Sequence, residues 1–203
     1  MKRTGLLVVL GIVLILVFWG CSGYNGLVKQ DENVKKAWNN VQTEYQNRSD
    51  LVGNLVNTVK GAANFEQNTL TAVVEARAKA TSVNINADNL TPENIAKFQE
   101  AQGQMTGALS RLLATVEAYP TLKATDNFME LQRKLPEIEN GIKNSRMKFN
   151  EEINVYNTKV RSFPMNILGS MFGFHAKEGF KADAGAEKKV DVNFDDMNKK
   201  ETK

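Results

Sequence analysis

The chain has 203 residues, 24% of them charged, a formal charge of +3, four prolines, one cysteine and one histidine. That length holds one ordinary domain plus an anchor. The near-balanced charge, with no basic stripe interleaved with aromatics, argues against nucleic acid as a partner. The single Cys21 and single His175 cannot build an internal disulfide, a zinc centre of ordinary ligand set, or the paired Glu-x-x-His of a di-iron bundle.

Gly5 to Gly20 reads GLLVVLGIVLILVFWG, without a charge. Extended to Tyr24 it supplies about 20 residues, or roughly 30 Å of helix, enough to cross a bilayer. Trp19 and Tyr24 close it with interfacial aromatics, and Lys2 and Arg3 precede it. The run ends in Phe18, Trp19 and Gly20, which suits a signal peptidase badly. Bulky Trp19 also spoils a lipobox before Cys21, so acylation there is the minority reading beside a retained anchor. The Lys2–Arg3 pair abutting the apolar run points to a cytoplasmic N-terminus with the domain outside, although Lys29, Lys35 and Lys36 follow the span.

After the anchor, Val34, Trp38, Val41, Tyr45, Arg48, Val52, Leu55 and Val59 alternate spacings of four and three, a heptad seam that closes at Gly61. Gly23 and Gly26 are possible hinges between anchor and seam. A second helix is predicted from Phe65 to Ala80, with Phe65, Val73, Ala76 and Ala80 inward. The polar stretch Thr81 to Asn89 is a loop. Thr91 caps a third helix that starts at Pro92 and turns Ile95, Phe98, Gln102, Met105, Leu109, Leu112 and Val116 inward, before Tyr119–Pro120 ends it. Asp126 caps a fourth, with Phe128, Leu131, Leu135, Ile138, Ile142, Phe149, Ile153, Tyr156 and Val160 on its core face. Pro136 interrupts that helix and Phe163–Pro164 ends it.

These elements predict an all-α fold: an antiparallel up-and-down four-helix bundle behind one N-terminal transmembrane helix. The divisions are residues 1–24 for the short tail and anchor, 25–175 for the bundle with its apolar C-terminal segment, and 176–203 for a disordered tail. From Lys181 to Lys203 that tail carries six lysines and six acids, a polyampholyte composition. The brief alternation Val190 to Phe194 within it could add as a strand elsewhere.

Several segments resemble a known family. YNGLVKQDENVKKAW from Tyr24, NRSDLVGNLVNTVKGAANFE at 47–66, ARAKA at 76–80, AYPTLKATDNFMELQ at 118–132, IENGI at 138–142 and FNEEINVYNTKVRSFP at 149–164 occur in this order. Together they are similar to the LemA family over roughly residues 20 to 175. Gly53 stands where that family usually has proline, Asn47 where arginine is common, Pro136 where Glu is common, and Phe149 replaces a tyrosine. The resemblance implies a single-pass protein of the bacterial cytoplasmic membrane with an up-and-down bundle, no catalytic residues and no cofactor. Family members are linked to membrane processes that include magnetosome formation, and some lie near genes for a membrane zinc metalloprotease. A scaffold or adaptor role beside the membrane follows as the expectation, with a membrane or envelope protein, such as that metalloprotease, as partner and self-association as an open alternative.

Two groups of residues are candidates for function. Phe163 to Phe174 (FPMNILGSMFGF) is apolar and Gly-punctuated, and its Phe163, Met165, Ile167, Leu168, Met171, Phe172 and Phe174 must meet the bundle, the membrane or a partner. Arg48, on an apolar seam, needs a carboxylate, with Asp50, Glu66 and Glu139 as choices. Arg77 and Arg146 join them as a polar network, and Asn54, Asn140, Asn150 and Asn157 could bond across helices. Such a network more often sets helix register than binds a ligand, and catalysis comes last. Ser22, Ser49, Ser145 and Ser162 have no His placed to activate them, and there is no Gly-rich phosphate loop. His175 reads as a plain surface or packing residue, and Trp38 and Tyr45 read as core.

Overall fold

The computed structural model describes residues 2–62 and 65–181, and among these every regular element is helical. In order they are α1 (Lys2–Lys60), α2 (Gln67–Ser82), α3 (Pro92–Val116), α4 (Pro120–Lys123), α5 (Asp126–Arg161) and α6 (Met165–Met171).

The anchor and the first seam are one 59-residue helix, roughly 90 Å long at 1.5 Å per residue. No proline precedes Pro92, so nothing in the backbone forces a break. Gly23 and Gly26, expected as hinges, lie inside the helix. The end of the apolar segment is abrupt: Tyr24 is 39% exposed, whereas Leu27 is 1% exposed and begins the core. Leu7 to Leu10, Ile12 to Ile15 and Val17 to Trp19 are exposed, and α1 is a helix long and apolar enough to cross a membrane.

α5 runs antiparallel to the second half of α1. Lys159 reaches Gly26, Gln30 reaches Glu152, and Arg48 reaches Glu139, so numbers fall on one helix as they rise on the other. α2 begins at Gln67, two residues later than the sequence suggests. Phe65 stands before it, half-buried against Tyr119, and Leu70 joins the inward set. The loop before α3 is less solvated than its polar composition implies. Ile85 and Leu90 are buried, and the Trp38 indole donates to the Ile85 carbonyl at 2.9 Å. Thr91 caps α3 as expected, accepting from the Asn94 amide. Pro120 ends nothing by itself; it opens the short α4. The cap of α5 is Thr125, which accepts from the Phe128 amide, while Asp126 sits in the first turn where its charge suits the helix dipole. The helix continues through Pro136, which is on the exposed side. Leu131, Leu135 and Ile138 are half-buried.

Four long helices share the core, which has two parts. The part nearer the anchor joins Leu27, Val34, Trp38, Val41 and Tyr45 of α1 to Ile95 and Phe98 of α3 and to Ile142, Phe149, Ile153, Tyr156 and Val160 of α5. The far part joins Leu51 to Val59 of α1 with Leu70 and Val73 of α2, Met105 to Val116 of α3, Leu122 and Phe128.

The sequence reading starts a disordered tail at Ala176, and here the structure differs. Residues 175–181 follow α5 as an extended strap. The Asn157 amide bonds the Lys177 backbone twice, Nδ2 to O and Oδ1 from N, both at 2.9 Å. Asn150 holds the Phe180 backbone the same way, at 3.0 and 2.8 Å. Seven helical residues rise roughly 10.5 Å and three extended residues roughly 10 Å, so the two spacings match. A Cβ on residue 179 would stand 2.6 Å from Asn150 Oδ1, which explains glycine there. Phe180 drops into the core among Trp38, Phe98 and Phe149, with ring centroids 5.9, 6.2 and 5.6 Å away. Burying a ring of this size stabilises by about 2–3 kcal/mol, enough to order a short extended segment. Residues 182–203, including the Val190–Phe194 alternation, lie outside the described residues.

Candidate functional site

The predicted polar network separates into three places. Arg48, 3% exposed, lies between the two parts of the core with Ser49 and Gln102, the other buried polar residues at that level. Its Nη2 donates to Gln102 Oε1 at 2.6 Å and to the Gln102 carbonyl at 3.2 Å, and its Nη1 to Thr106 Oγ1 at 3.0 Å. The guanidinium also lies 4.9 Å from the centre of the Tyr45 ring. Of the three carboxylates considered, Glu139 is the partner, at 3.4 Å, and its side chain is 42% exposed. The charge is therefore satisfied mainly by neutral oxygens, and removing Arg48 would not strand a buried acid. Nε has no hydrogen-bond partner among the described residues.

Asp50 belongs instead to Arg77, 3.8 Å away, and Arg77 Nε donates to the Ser49 carbonyl at 2.8 Å. Glu66 is exposed just before α2, away from Arg48. Arg146 covers the outer face of Phe180 at 4.7 Å and bonds the Lys181 carbonyl, so it closes the strap. Asn150 and Asn157 bond the strap, not a neighbouring helix, and Asn54 and Asn140 are exposed.

A second ion cluster, not anticipated from sequence, ties the loop and strap to α1. Lys35 bonds Asp31 at 3.1 Å, Glu32 at 3.2 Å and Asp88 at 2.9 Å. Asp31 also takes Lys177 at 2.6 Å. Hydrogen bonds to Asp88 and Asp31 hold the Lys35 ammonium well above its ordinary pKa, and Lys35 in turn holds the Asp88 carboxyl below the usual carboxylate range. Lys177 lies over the Tyr156 ring, and burial pushes that phenol up to about 12. Among the described residues no group of three or more His, Cys, Asp or Glu side chains is arranged to hold a metal ion.

The apolar segment 163–174 is divided between packing and exposure. α6 lies across α1 at the end of its apolar stretch: a Cβ on Gly23 would meet the end of the Met165 side chain, and one on Gly20 would lie 3.9 Å from Leu168. Gly169 is buried against Leu27, and Tyr24 meets Phe172 and Phe174 edge-on at 5.1 and 5.7 Å. Small residues at 20, 23 and 169 thus let two backbones approach. No spacing within 163–174 itself signals that contact. Phe163, Ile167, Met171 and Phe172 stay largely exposed, at 76, 56, 75 and 60%.

The sequence profile of the LemA family matches residues 37–194. Magnetosome protein MamQ 2 of Paramagnetospirillum magneticum is 27% identical over 175 residues, covering 78% of this chain and 64% of that protein. Magnetosome protein MamQ of Magnetospirillum gryphiswaldense is 26% identical over 174 residues, covering 77% and 64%. Protein LemA of Metamycoplasma hominis is 22% identical over 173 residues, covering 85% of this chain and 74% of that protein. Against the first two, the matched region is thus about 64% of the relative's length.

Proposed function

Because this chain belongs to the LemA family, we propose that it is a single-pass, non-enzymatic scaffold or adaptor of a bacterial cytoplasmic membrane. Its four long helices form an antiparallel up-and-down bundle held at a set height and orientation beside the bilayer. The observation that carries this is α1: one helix serves as both the apolar span and the central seam of the core. A rigid continuation transmits orientation, where a flexible linker would only tether. Continuity of the helix through Cys21 supports a retained anchor, and Lys2 and Arg3 support placing the domain outside the cytoplasm. The partner is a membrane or envelope protein, a membrane metalloprotease among the choices.

In-membrane photocrosslinking of the full-length protein from position 163 or 171 tests this, with mass spectrometry of the products. The expected result is one reproducible membrane or envelope protein, lost when a flexible Gly-Ser insert is placed between Tyr24 and Leu27. Capture that ignores the insert would sink the role of a fixed height. Self-crosslinks alone would replace the adaptor with a homo-oligomeric scaffold.

A second reading rests on the exposed face of α6. Phe163, Ile167, Met171 and Phe172 continue the apolar surface of the anchor, which fits a membrane-surface or membrane-shaping module.

A further inference from the structure

Two stretches of chain near the membrane end of the domain carry bases and no acid. From Met1 to Gln30 the chain carries Lys2, Arg3 and Lys29 and no acid; from Ile153 to Lys177 it carries Lys159, Arg161 and Lys177 and no acid. Lys177 is neutralised by Asp31. Lys29, Lys159 and Arg161 are exposed and have no ion pair among the described residues.

Between α1 and the junction of α5 with α6 lies a cleft of about 320 Å³. Trp19, Ser22, Gly26, Lys159, Ser162 and Met165 line it. Lys159 Nζ is held at its rim by the Gly26 carbonyl, 3.3 Å away, which uses one of its three donors. Ser162 donates to the Thr158 carbonyl at 2.7 Å, so its oxygen is positioned rather than free to rotate. Trp19, Ser22, Gly26 and Lys29 follow 3,4,3 spacing, so one face of α1 offers an indole, a hydroxyl, a gap and a second ammonium in order.

We propose that this cleft binds the phosphate headgroup of an anionic phospholipid from the leaflet in which α1 ends. Lys159 is the principal contact, with Ser22 and Ser162 as hydroxyl partners and Lys29 and Arg161 supplying the field. The proposal rests on the reading of α1 as a membrane span. Two observations favour lipid over a soluble anion or a protein. The cleft runs along α1 from Trp19 to Leu27, where its exposed apolar surface gives way to the buried core. The exposed side chains of α6, beside it, continue that surface without a charge. A headgroup seated at Lys159 therefore has its acyl chains directed onto an apolar wall.

The test is native mass spectrometry of the full-length protein in detergent, titrated with phosphatidylglycerol or phosphatidylcholine. One phosphatidylglycerol should be retained in preference to phosphatidylcholine. Lys159→Gln should weaken that retention about tenfold, as loss of one charge-assisted bond implies, while Lys97→Gln, far from the cleft, should not. Equal weakening by both variants, or no preference between the lipids, overturns the site. Displacement by millimolar inorganic phosphate overturns the lipid assignment in favour of a free-anion site. Extraction of the protein from membranes by alkaline carbonate would instead overturn the span on which the proposal rests; a retained protein without lipid preference would leave that span standing.

Discussion

The two parts of the core differ in how they are made. The far part is aliphatic, with Leu51, Val52, Leu55, Val56 and Val59 of α1 meeting leucines and valines of α2 and α3 at regular helical spacing. The part nearer the anchor is aromatic, with Trp38, Tyr45, Phe98, Phe149 and Phe180 in edge-on, tilted or stacked contact and Tyr156 buried among the same cluster. It is also tied by polar bonds to pieces without helical periodicity, namely the 83–91 loop and the strap. Helix patterning alone builds the first, and the second needs individual residues to find individual partners. Arg48 and its oxygen ligands lie between them.

The sharpest way to break this comparison is at the strap. Phe180→Ala should cost about 3–4 kcal/mol, as for other fully packed rings. Ending the chain after Ala176 should cost at least as much, and ending it after Lys181 should cost nothing measurable. Thermal unfolding of the full-length protein in detergent reads all three. A chain ended at Ala176 that melts like the intact one would mean the strap contributes nothing. Leu55→Ala should be of similar size, about 2–4 kcal/mol, yet leave hydrogen exchange at the Phe180 amide protected while the domain is folded. Loss of that protection would show the two parts to be one cooperative unit.

Arg48→Ala should destabilise by about 2–3 kcal/mol, because Gln102 and Thr106 lose their donor inside the core. Arg48→Met combined with Gln102→Leu should recover most of it, since apolar groups of similar volume need no partners. A double variant no better than Arg48→Ala would show that the polar layer does more than satisfy itself. Asn150→Leu, which removes both bonds to the Phe180 backbone, should cost about 1–2 kcal/mol. Asn157→Leu should behave alike, and a neutral outcome at either would make the amide clamps incidental.

The seams of α1 and α3 were legible in the sequence because every inward position recurs at three- and four-residue steps. Arg48 stood out as the one charge on such a seam, and Glu139 was among its named partners. What could not be read was that neutral oxygens do most of the work, since Gln102 and Thr106 are distant in sequence and ordinary in type. The strap was missed for the opposite reason. Lys177 to Lys181 has no periodicity, and what orders it is a pair of asparagines seven residues apart on another element. Phe163–Phe174 announced itself by composition, but its division into a packed and an exposed side depended on Gly20 and Gly23 of α1, a contact no local pattern encodes.

The smallest effect concerns pH. The folded Asp88 carboxyl lies below its unfolded value, so its contribution is present above about pH 4 and is lost as pH falls through the depressed folded value. Lys35 is raised, so its share is present below its unfolded pKa and lost only as pH rises through the folded one. The stability difference between the intact protein and Asp88→Asn, under about 1 kcal/mol for so exposed a pair, should therefore hold steady above about pH 4 and shrink as pH falls below it toward the depressed folded value. A difference that stays constant through that fall would show that the Asp88–Lys35 pair is not what fastens the loop.

The paired amides also fix a point of departure. Whatever follows Lys181 leaves the domain beside Asn150, nine residues along α5 from Lys159. At 1.5 Å per residue that exit is about 13 Å further along the helix, away from the apolar stretch of α1. The final 22 residues, 182–203, thus set out from the flank of the domain instead of from its foot.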